Sequence, residues 1–385
     1  MKALSASPVH FKNLSDSGDT VMLKRALKII RVCAKSSIPT VIYTGNAGTV
    51  TRFLTAYLAQ YEGKWLLTGN KRMNDRPISM LVDALNMLGA DIKYTGNKTS
   101  PPLLINGTKL SGGTVAMEAS KSSQFISALM LIAPYLNNPL RIVFDEKPVS
   151  FPYIVMTARL MEGSGVDVRY SEKEVSVSNG DYNLTGTDVE KDWSSAAFWY
   201  QTVALDKKSR IFLKGLSPDS IQGDKILVDV FEKLGVSTIF EKGGATISYS
   251  GDITKLFEYD FSDCPDIVPP VMAACAASGI KAIFKGIEHL RHKESDRIEK
   301  MNTELNKTGA SIVKQNDNYL LLPGKRTQET IVFDTHGDHR IAMSLAPLSI
   351  VFNKITINNP EVVEKSYPQY WNQLANSGIV TVKKA

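Results

Sequence analysis

Two short stretches crowd ionisable side chains together. "RHKESDR" carries Arg291, His292, Lys293, Glu294, Asp296 and Arg297, and "GDHR" sets Asp338, His339 and Arg340 at the head of an apolar run. Carboxylates interleaved with guanidinium, ammonium and imidazole groups can move a proton and can cradle a phosphate or carboxylate. "KRMNDRP" adds Arg72 and Arg76, and "VVEKSYPQYW" adds Lys365. Each cluster also has a plainer reading as a solvated face, and "RHKESDR" could be an ordinary helix start with i,i+3 and i,i+4 ion pairs. Asp338 could be no more than an N-cap, with His339 and Arg340 in solvent. His289/His292 and His336/His339 share an H-x-x-H spacing. Their neighbours Arg291, Lys293, Arg297 and Arg340 would repel a divalent cation and suit an anion instead. No nucleotide-binding glycine fingerprint occurs in the sequence.

Repetition along the chain supplies the elements that must position these groups. "LVDALNMLGADIKY", "MTARLMEGSGVDVRY", "LVDVFEKLGVSTIF" and "MNTELNKTGASIVK" each read as an amphipathic helix, a glycine and a short β-rich run. Their glycines, Gly89, Gly165, Gly235 and Gly309, recur every 70–76 residues, at the C′ position where helices end. Nearly all-apolar helices interleave with them, starting at Thr49, Ser122, Ser194, Pro265 and Asp338, 71–73 residues apart. A helix apolar all round must be buried on every side, so each unit wraps its sheet around a central helix. Five units are visible, with the chain before Thr49 as the remnant of a sixth. Two halves follow, residues 1–190 and 191–385, divided in the polar segment "GTDVEKDWSS". A solenoid shares such a period, but helices this apolar do not suit an open stack. If the units are related by rotation, the helix starts converge within each half and offer N–H groups and positive dipole ends to anions.

Composition narrows the partners. A chain of 385 residues can bury two cores. The net charge of +6 comes without a Lys/Arg block interleaved with aromatics, which argues against nucleic acid. The longest apolar runs, such as "FISALMLIAPYL", are too short to span a bilayer. The first residues lack the apolar core of a signal peptide. Cys33, Cys264 and Cys275 have no paired spacing and suit reduced thiols in a cytoplasm. Cys264, beside motif residues, reads as a packed, inert thiol.

The motifs "GNAGTVTRFL", "GNKRMNDRP", "SSQFISALM", "KESDRI" and "GDHRIAM" follow one another in that order. Together, from "LSDSGDT" to "EKSYPQYWNQL", they resemble the 5-enolpyruvylshikimate-3-phosphate synthase family. The resemblance implies an α/β, two-domain enolpyruvyl transferase fold. In that fold each domain has about three βαβαββ-type units around buried parallel helices, an inside-out α/β barrel, and the domains close over the substrates at a hinge. It implies transfer of the enolpyruvyl group of phosphoenolpyruvate to the 5-hydroxyl of shikimate 3-phosphate, releasing phosphate, on the route to chorismate and the aromatic amino acids. It further implies a cytoplasmic monomer that needs no cofactor or metal.

Carried over by position, Asp266 takes the proton from the attacking hydroxyl. Lys293 and Glu294 flank the reacting carbons, with Glu294 a proton shuttle. Asn46, Gly48, Arg72, Gln124, Arg297, Arg340 and Lys365 match the phosphoenolpyruvate cradle, with His339 beside it among the catalytic groups. Ser122, Ser123, Gln124, Ser150, Tyr153, Asp266, His289 and Lys293 match the shikimate 3-phosphate contacts. The front of the chain departs from the family, which begins with a strand and a "K-S-x-S-N-R" loop touching both substrates. This sequence opens at "MKALSAS", which reads as the tail of the helix after that loop, so the expectation is a truncated chain. Gly18 stands where the family often has an acid, His289 where it commonly has Asn, and the segment from Ala34 to Ile42 is short. Two alternatives therefore accompany the reading. One is an impaired relative that only binds phosphorylated acids. The other is the sister transferase acting on UDP-N-acetylglucosamine, whose loop cysteine "GNKRMNDRP" lacks.

Overall fold

A computed structural model describes all residues except 2, 6–8, 35, 119–121, 185–187, 325–329, 353 and 384–385. Lys121 ahead of the serine pair, Gly186 and Thr187 of the expected boundary segment, and Lys2, Ala6 and Ser7 of the opening segment lie outside the described residues. The chain forms two compact units, Met1–Val189 and Glu190–Ala385, and each has its own apolar core.

The N-terminal unit begins with helix α1 (Gly18–Cys33). Strand β1 (Thr40–Tyr43), helix α2 (Gly48–Gln60), strand β2 (Gly63–Thr68), the short helix α3 (Lys71–Asn74), helix α4 (Ser79–Met87) and strands β3 (Asp91–Tyr94) and β4 (Leu103–Gly107) follow. The pattern then repeats as β5 (Gly113–Met117), α5 (Ser123–Ile132), β6 (Leu140–Phe144), α6 (Phe151–Glu162), β7 (Val168–Tyr170) and β8 (Glu174–Val177). Both sheets have one topology, β1-β2-β4-β3 and β5-β6-β8-β7. In each, a parallel pair joined through the apolar helix is extended by an antiparallel hairpin. Parallel neighbours need a crossover of this kind, so the apolar helix is forced onto one face of its sheet.

Among the described residues the C-terminal unit opens without a leading strand: α7 (Trp193–Asp206), β9 (Arg210–Lys214), α8 (Leu227–Glu232), β10 (Leu234–Glu241) and β11 (Gly244–Ile253). A complete unit follows, β12 (Leu256–Asp260), α9 (Val268–Ser278), β13 (Lys281–Lys285), α10 (Arg297–Asn306), β14 (Ser311–Gln315) and β15 (Asn318–Leu322), in the order β12-β13-β15-β14. The chain closes with β16 (Thr330–Asp334), α11 (His339–Leu345), β17 (Lys354–Asn358) and α12 (Tyr370–Asn376). Three of the repeats are thus whole, and the others lack a leading strand or a closing hairpin among the described residues.

The apolar helices occupy the interior as their composition requires. Every residue of α9 from Val268 to Ala277 is buried, and α7 is buried from Ala196 to Leu205. α7 and α11 both pack on α9, while α2 packs on α5 and α5 on α6. The recurring glycines all have positive φ, at 96°, 87°, 82° and 87°. Gly89 follows α4 in the expected place, with the Ala90 N–H returning to the Leu85 carbonyl, 3.0 Å away. Gly235 differs. It sits at the start of β10, where the ladder with β11 shifts register, because the strand begins two residues after α8 and the turn becomes a bulge.

Candidate active site

In the C-terminal unit Arg297, the first residue of α10, has a side chain only 2% exposed and faces three carboxylates. Its Nε donates to Asp338 Oδ2 at 2.8 Å, Nη1 to Asp266 Oδ1 at 3.1 Å and Nη2 to Glu294 Oε2 at 2.8 Å. Asp266 lies in the single turn Pro265–Ile267 that leads into α9, and its Oδ2 also accepts from Arg340 Nη2 at 2.8 Å. Glu294 Oε1 accepts from Lys365 Nζ at 3.1 Å. Cation and anion therefore alternate from Lys365 through Glu294, Arg297 and Asp266 to Arg340. The fixed fork of a guanidinium bridges several carboxylates in set directions, which the freely rotating ammonium of a lysine does not fix.

Asp338 is the hidden member of this network. It is the N-cap of α11, accepting the Arg340 N–H at 3.0 Å, and its side chain is fully buried. The N-cap reading of "GDHR" was sound, but its companion, a solvated His339 and Arg340, is not. His339 is buried and the Arg340 side chain is mostly covered. Burial pushes the His339 imidazole down to about 3; the Asp338 carboxylate opposes that, and the nearby Lys365 and Arg340 add to it. Its Nδ1 finds no hydrogen-bond partner among the described residues. A neutral ring at working pH can orient a ligand but is a poor source of a proton.

Burial also works against the Asp266 carboxylate, yet Arg340, Lys293 and Arg297 overcome it and hold the group well below the usual range. His289 faces Lys293, Asp266 and Arg297, and burial, then Lys293, lowers it to about 4. It hydrogen-bonds the Gly286 backbone, while its Nε2 finds no partner among the described residues. That leaves Nε2 a bare acceptor suited to a hydroxyl. Asp224 lies close enough to Asp266 and Arg340 to feel both. Burial and the Asp266 charge push it up to about 6, opposed by the Ser194 hydroxyl that donates to it.

The N-terminal unit carries its own cluster at the starts of its apolar helices. Asn46 precedes α2, Gly48 is its first residue, and Asn46 Oδ1 finds no partner among the described residues. A Cβ at Gly48 would lie 2.7 Å from Nη1 of the buried Arg76, so that position holds glycine because the guanidinium fills the space. Gln124, on α5, donates to Thr49 Oγ1 at 3.0 Å and accepts from Arg52, which places the starts of α2 and α5 side by side. Arg52 lies 5.0 Å over the Phe125 ring, a cation–π contact. Ser122 is the N-cap of α5 but makes no capping bond through its side chain; Ser123 beside it is buried. Ser150 caps α6 in the left-handed region at φ 58°, three residues before Tyr153. α6 is tied to α5 by the 2.8 Å bond between Ser127 and Thr157. Arg72 lies exposed on α3, whose N-cap Asn70 donates its N–H to the Gly45 carbonyl at 2.9 Å.

The structure thus brings Asp266, His289, Lys293, Glu294, Arg297, His339, Arg340 and Lys365 together in one unit. In the other it gathers Asn46, Gly48, Ser122, Ser123 and Gln124, with Arg72 on the adjoining turn and Ser150 and Tyr153 on the adjoining helix. Sequence reasoning took Asp338 as no more than an N-cap, named Arg76 only within a charged cluster and gave Arg52 no role, although all three lie inside motifs it singles out. Asp224 carried no signal, because only the fold buries it beside Asp266. Burial also raises the Cys264 thiol, leaving it unreactive as expected.

Residues 11–374 match the family model for EPSP synthase (3-phosphoshikimate 1-carboxyvinyltransferase). A 3-phosphoshikimate 1-carboxyvinyltransferase of Bacteroides fragilis (strain YCH46) is 39% identical over 383 residues, spanning 98% of this chain and 90% of the relative. The enzyme of that name from Colwellia psychrerythraea is 37% identical over 340 residues, 88% and 79% of the two chains. Among solved structures, EPSP synthase from Acinetobacter baumannii superposes with a TM-score of 0.74 at 23% identity, over 99% of this chain and 92% of that one. The enolpyruvyl transferase NikO from Streptomyces tendae gives the same TM-score at 14% identity, over 98% and 90%. At such identities these two speak for the fold alone.

Proposed function

This chain belongs to the EPSP synthase (3-phosphoshikimate 1-carboxyvinyltransferase) family, and on that premise we propose a division of labour among its residues in the family's reaction. Phosphoenolpyruvate and shikimate 3-phosphate are the substrates. The enolpyruvyl group passes to the 5-hydroxyl, and phosphate leaves. We place the enzyme in the cytoplasm as a monomer. Among the described residues no helix is long and apolar enough to cross a membrane.

Asp266 takes the proton of the 5-hydroxyl as its oxygen bonds to C2 of phosphoenolpyruvate. Glu294 delivers a proton to the methylene carbon, making a methyl group and a tetrahedral ketal. Glu294 then removes a proton from that methyl group as the C2–O bond to phosphate breaks, and the proton held by Asp266 goes to the departing phosphate, which returns both carboxyl groups to their starting states. Arg72, Arg297, Arg340 and Lys365 hold the phosphate and carboxylate of phosphoenolpyruvate, helped by Asn46 and the backbone N–H groups beside Gly48 at the start of α2. His339 orients that ligand as a neutral ring. Ser122, Ser123, Ser150 and Tyr153 contact shikimate 3-phosphate, with Gln124 touching both ligands. Lys293 and the bare Nε2 of His289 face its ring hydroxyls.

The observation that carries this assignment is the double clamp on Asp266 by Arg297 and Arg340. Those guanidiniums hold the carboxyl low. An anionic substrate that draws on the same guanidiniums weakens the clamp, so Asp266 becomes a stronger base when the site is occupied.

Purified protein given both substrates is expected to release one phosphate per enolpyruvyl ether formed, with no release when shikimate 3-phosphate is omitted. Calorimetric binding of shikimate 3-phosphate without turnover would instead favour a binding-only relative. A second expectation concerns Gly48. Gly48→Ala puts a methyl against Arg76, so the guanidinium must shift. The KM for phosphoenolpyruvate should rise by about tenfold, equivalent to roughly 1.4 kcal/mol. Steady-state kinetics check it, and an unchanged KM would mean that Arg76 gives way at no cost.

A further inference from the structure

We propose that Glu304 and His336 are positioning residues that fix the connector bearing Asp338, His339 and Arg340. The inference rests on the roles given above for that trio and concerns two side chains outside the site itself. The connector, from Thr335 to Asp338, joins β16 to α11. Two successive residues in it take the left-handed conformation, His336 at φ 51° and Gly337 at φ 71°. Glycine is at home there, whereas a histidine needs something to hold it.

Glu304 is what holds it. Its side chain is 1% exposed, and its Oε1 lies 2.7 Å from His336 Nε2. Its other oxygen accepts the Asp334 N–H at 3.0 Å and Lys307 Nζ at 2.7 Å. Lys307 in turn donates to the Val332 carbonyl at 3.0 Å. Facing an N–H and an ammonium on one oxygen, the carboxylate takes the His336 hydrogen on the other.

Helical geometry makes this contact reach the site. Arg297 and Glu304 are seven residues apart on α10, two turns, and so share one face. Arg297 grips the far end of the connector through Asp338 at 2.8 Å, and Glu304 grips the near end. Release of the near end lets His336 relax out of the left-handed region, and Gly337 follows freely. The cap at Asp338, which sets the first turn of α11 and hence Arg340, then loses its fixed origin.

The test uses the full chain with His336→Gly, Glu304→Gln and His336→Asn. His336→Gly keeps the backbone conformation allowed but removes the tether. Its melting temperature should stay within a few degrees of wild type, while the KM for phosphoenolpyruvate rises about tenfold, since ångström-scale misplacement alone can cost up to 10²-fold. The amides of Asp338 and Arg340 should exchange hydrogen faster. Glu304→Gln should move KM and exchange the same way. His336→Asn, which tolerates the left-handed region and keeps a donor, should recover part of the loss. A purely structural role would lower the melting temperature and leave the KM of the folded enzyme alone. Wild-type KM and exchange in His336→Gly would overturn the proposal, and that variant decides alone if Glu304→Gln does not fold. A wild-type protein that turned over neither substrate would sink the functional reading, while the exchange rates would still judge the tether.

Discussion

Asp266→Asn is expected to lower kcat by about two to four orders of magnitude, the usual worth of a positioned general base. The amide keeps an oxygen to accept from Arg297 or Arg340, so the local geometry should persist. Equilibrium binding of both substrates should therefore change only a few-fold, and a rate loss with binding retained separates base from ligand. In the free enzyme burial raises the Asp266 carboxyl, but the Arg340, Lys293 and Arg297 charges hold it well below the carboxylate range. Its charge, and the stability the clamp provides, are thus present above about pH 4 and are lost only as pH falls through the depressed value. An acid limb in kcat/KM above that pH would have to come from another group. A variant with kcat within tenfold of wild type would remove Asp266 from the chemistry.

Arg297→Ala should have the largest effect on folding. Three carboxylates, Asp266, Glu294 and Asp338, meet in the interior on one guanidinium. Removing one partner of a buried ion pair costs about 3–5 kcal/mol, because the charge left behind stays desolvated. The loss should fall on the C-terminal unit, whose core is separate, and should appear in urea unfolding followed by the fluorescence of Trp193, Trp199 and Trp371. Arg297→Lys should fare little better, since one ammonium cannot reproduce three directed contacts. A stability change below about 1 kcal/mol, typical of an exposed pair, would show that the network relaxes into water when the arginine is lost.

Much of this was legible before any coordinates, for a simple reason. Period and apolarity are properties of the chain, and α9 and α7 advertise their burial by having no polar face. The cluster "GDHR" could be recognised as chemistry because it stands at the start of such a helix, where charge is otherwise out of place, whereas "KESDR" leads into the amphipathic α10. Partner choice was less accessible. Nothing local in "QGDK" says that Asp224 will be enclosed beside Asp266, because that depends on two segments about forty residues apart meeting in space. His336 was read only as half of an H-x-x-H spacing, although it lies in a connector and its partner is Glu304, on α10. Gly235 also lies one residue beyond the expected C′ position and inside β10, since a strand can start almost at once after a helix and turn a cap into a bulge.

The closeness of α7, α9 and α11 bears on how this lineage can change. α9 has four alanines among its eleven residues and is buried from Val268 to Ala277, without a side on which a bulkier residue could rest. Mutations fixed there would need matching losses of volume on both neighbours at once. Divergence should instead collect on the outward faces of the strands, at positions such as Val313 and Val332, where the side chains meet solvent. Within related sequences, then, the helix nearest the proposed base should be among the slowest segments to drift, for reasons of volume before reasons of chemistry.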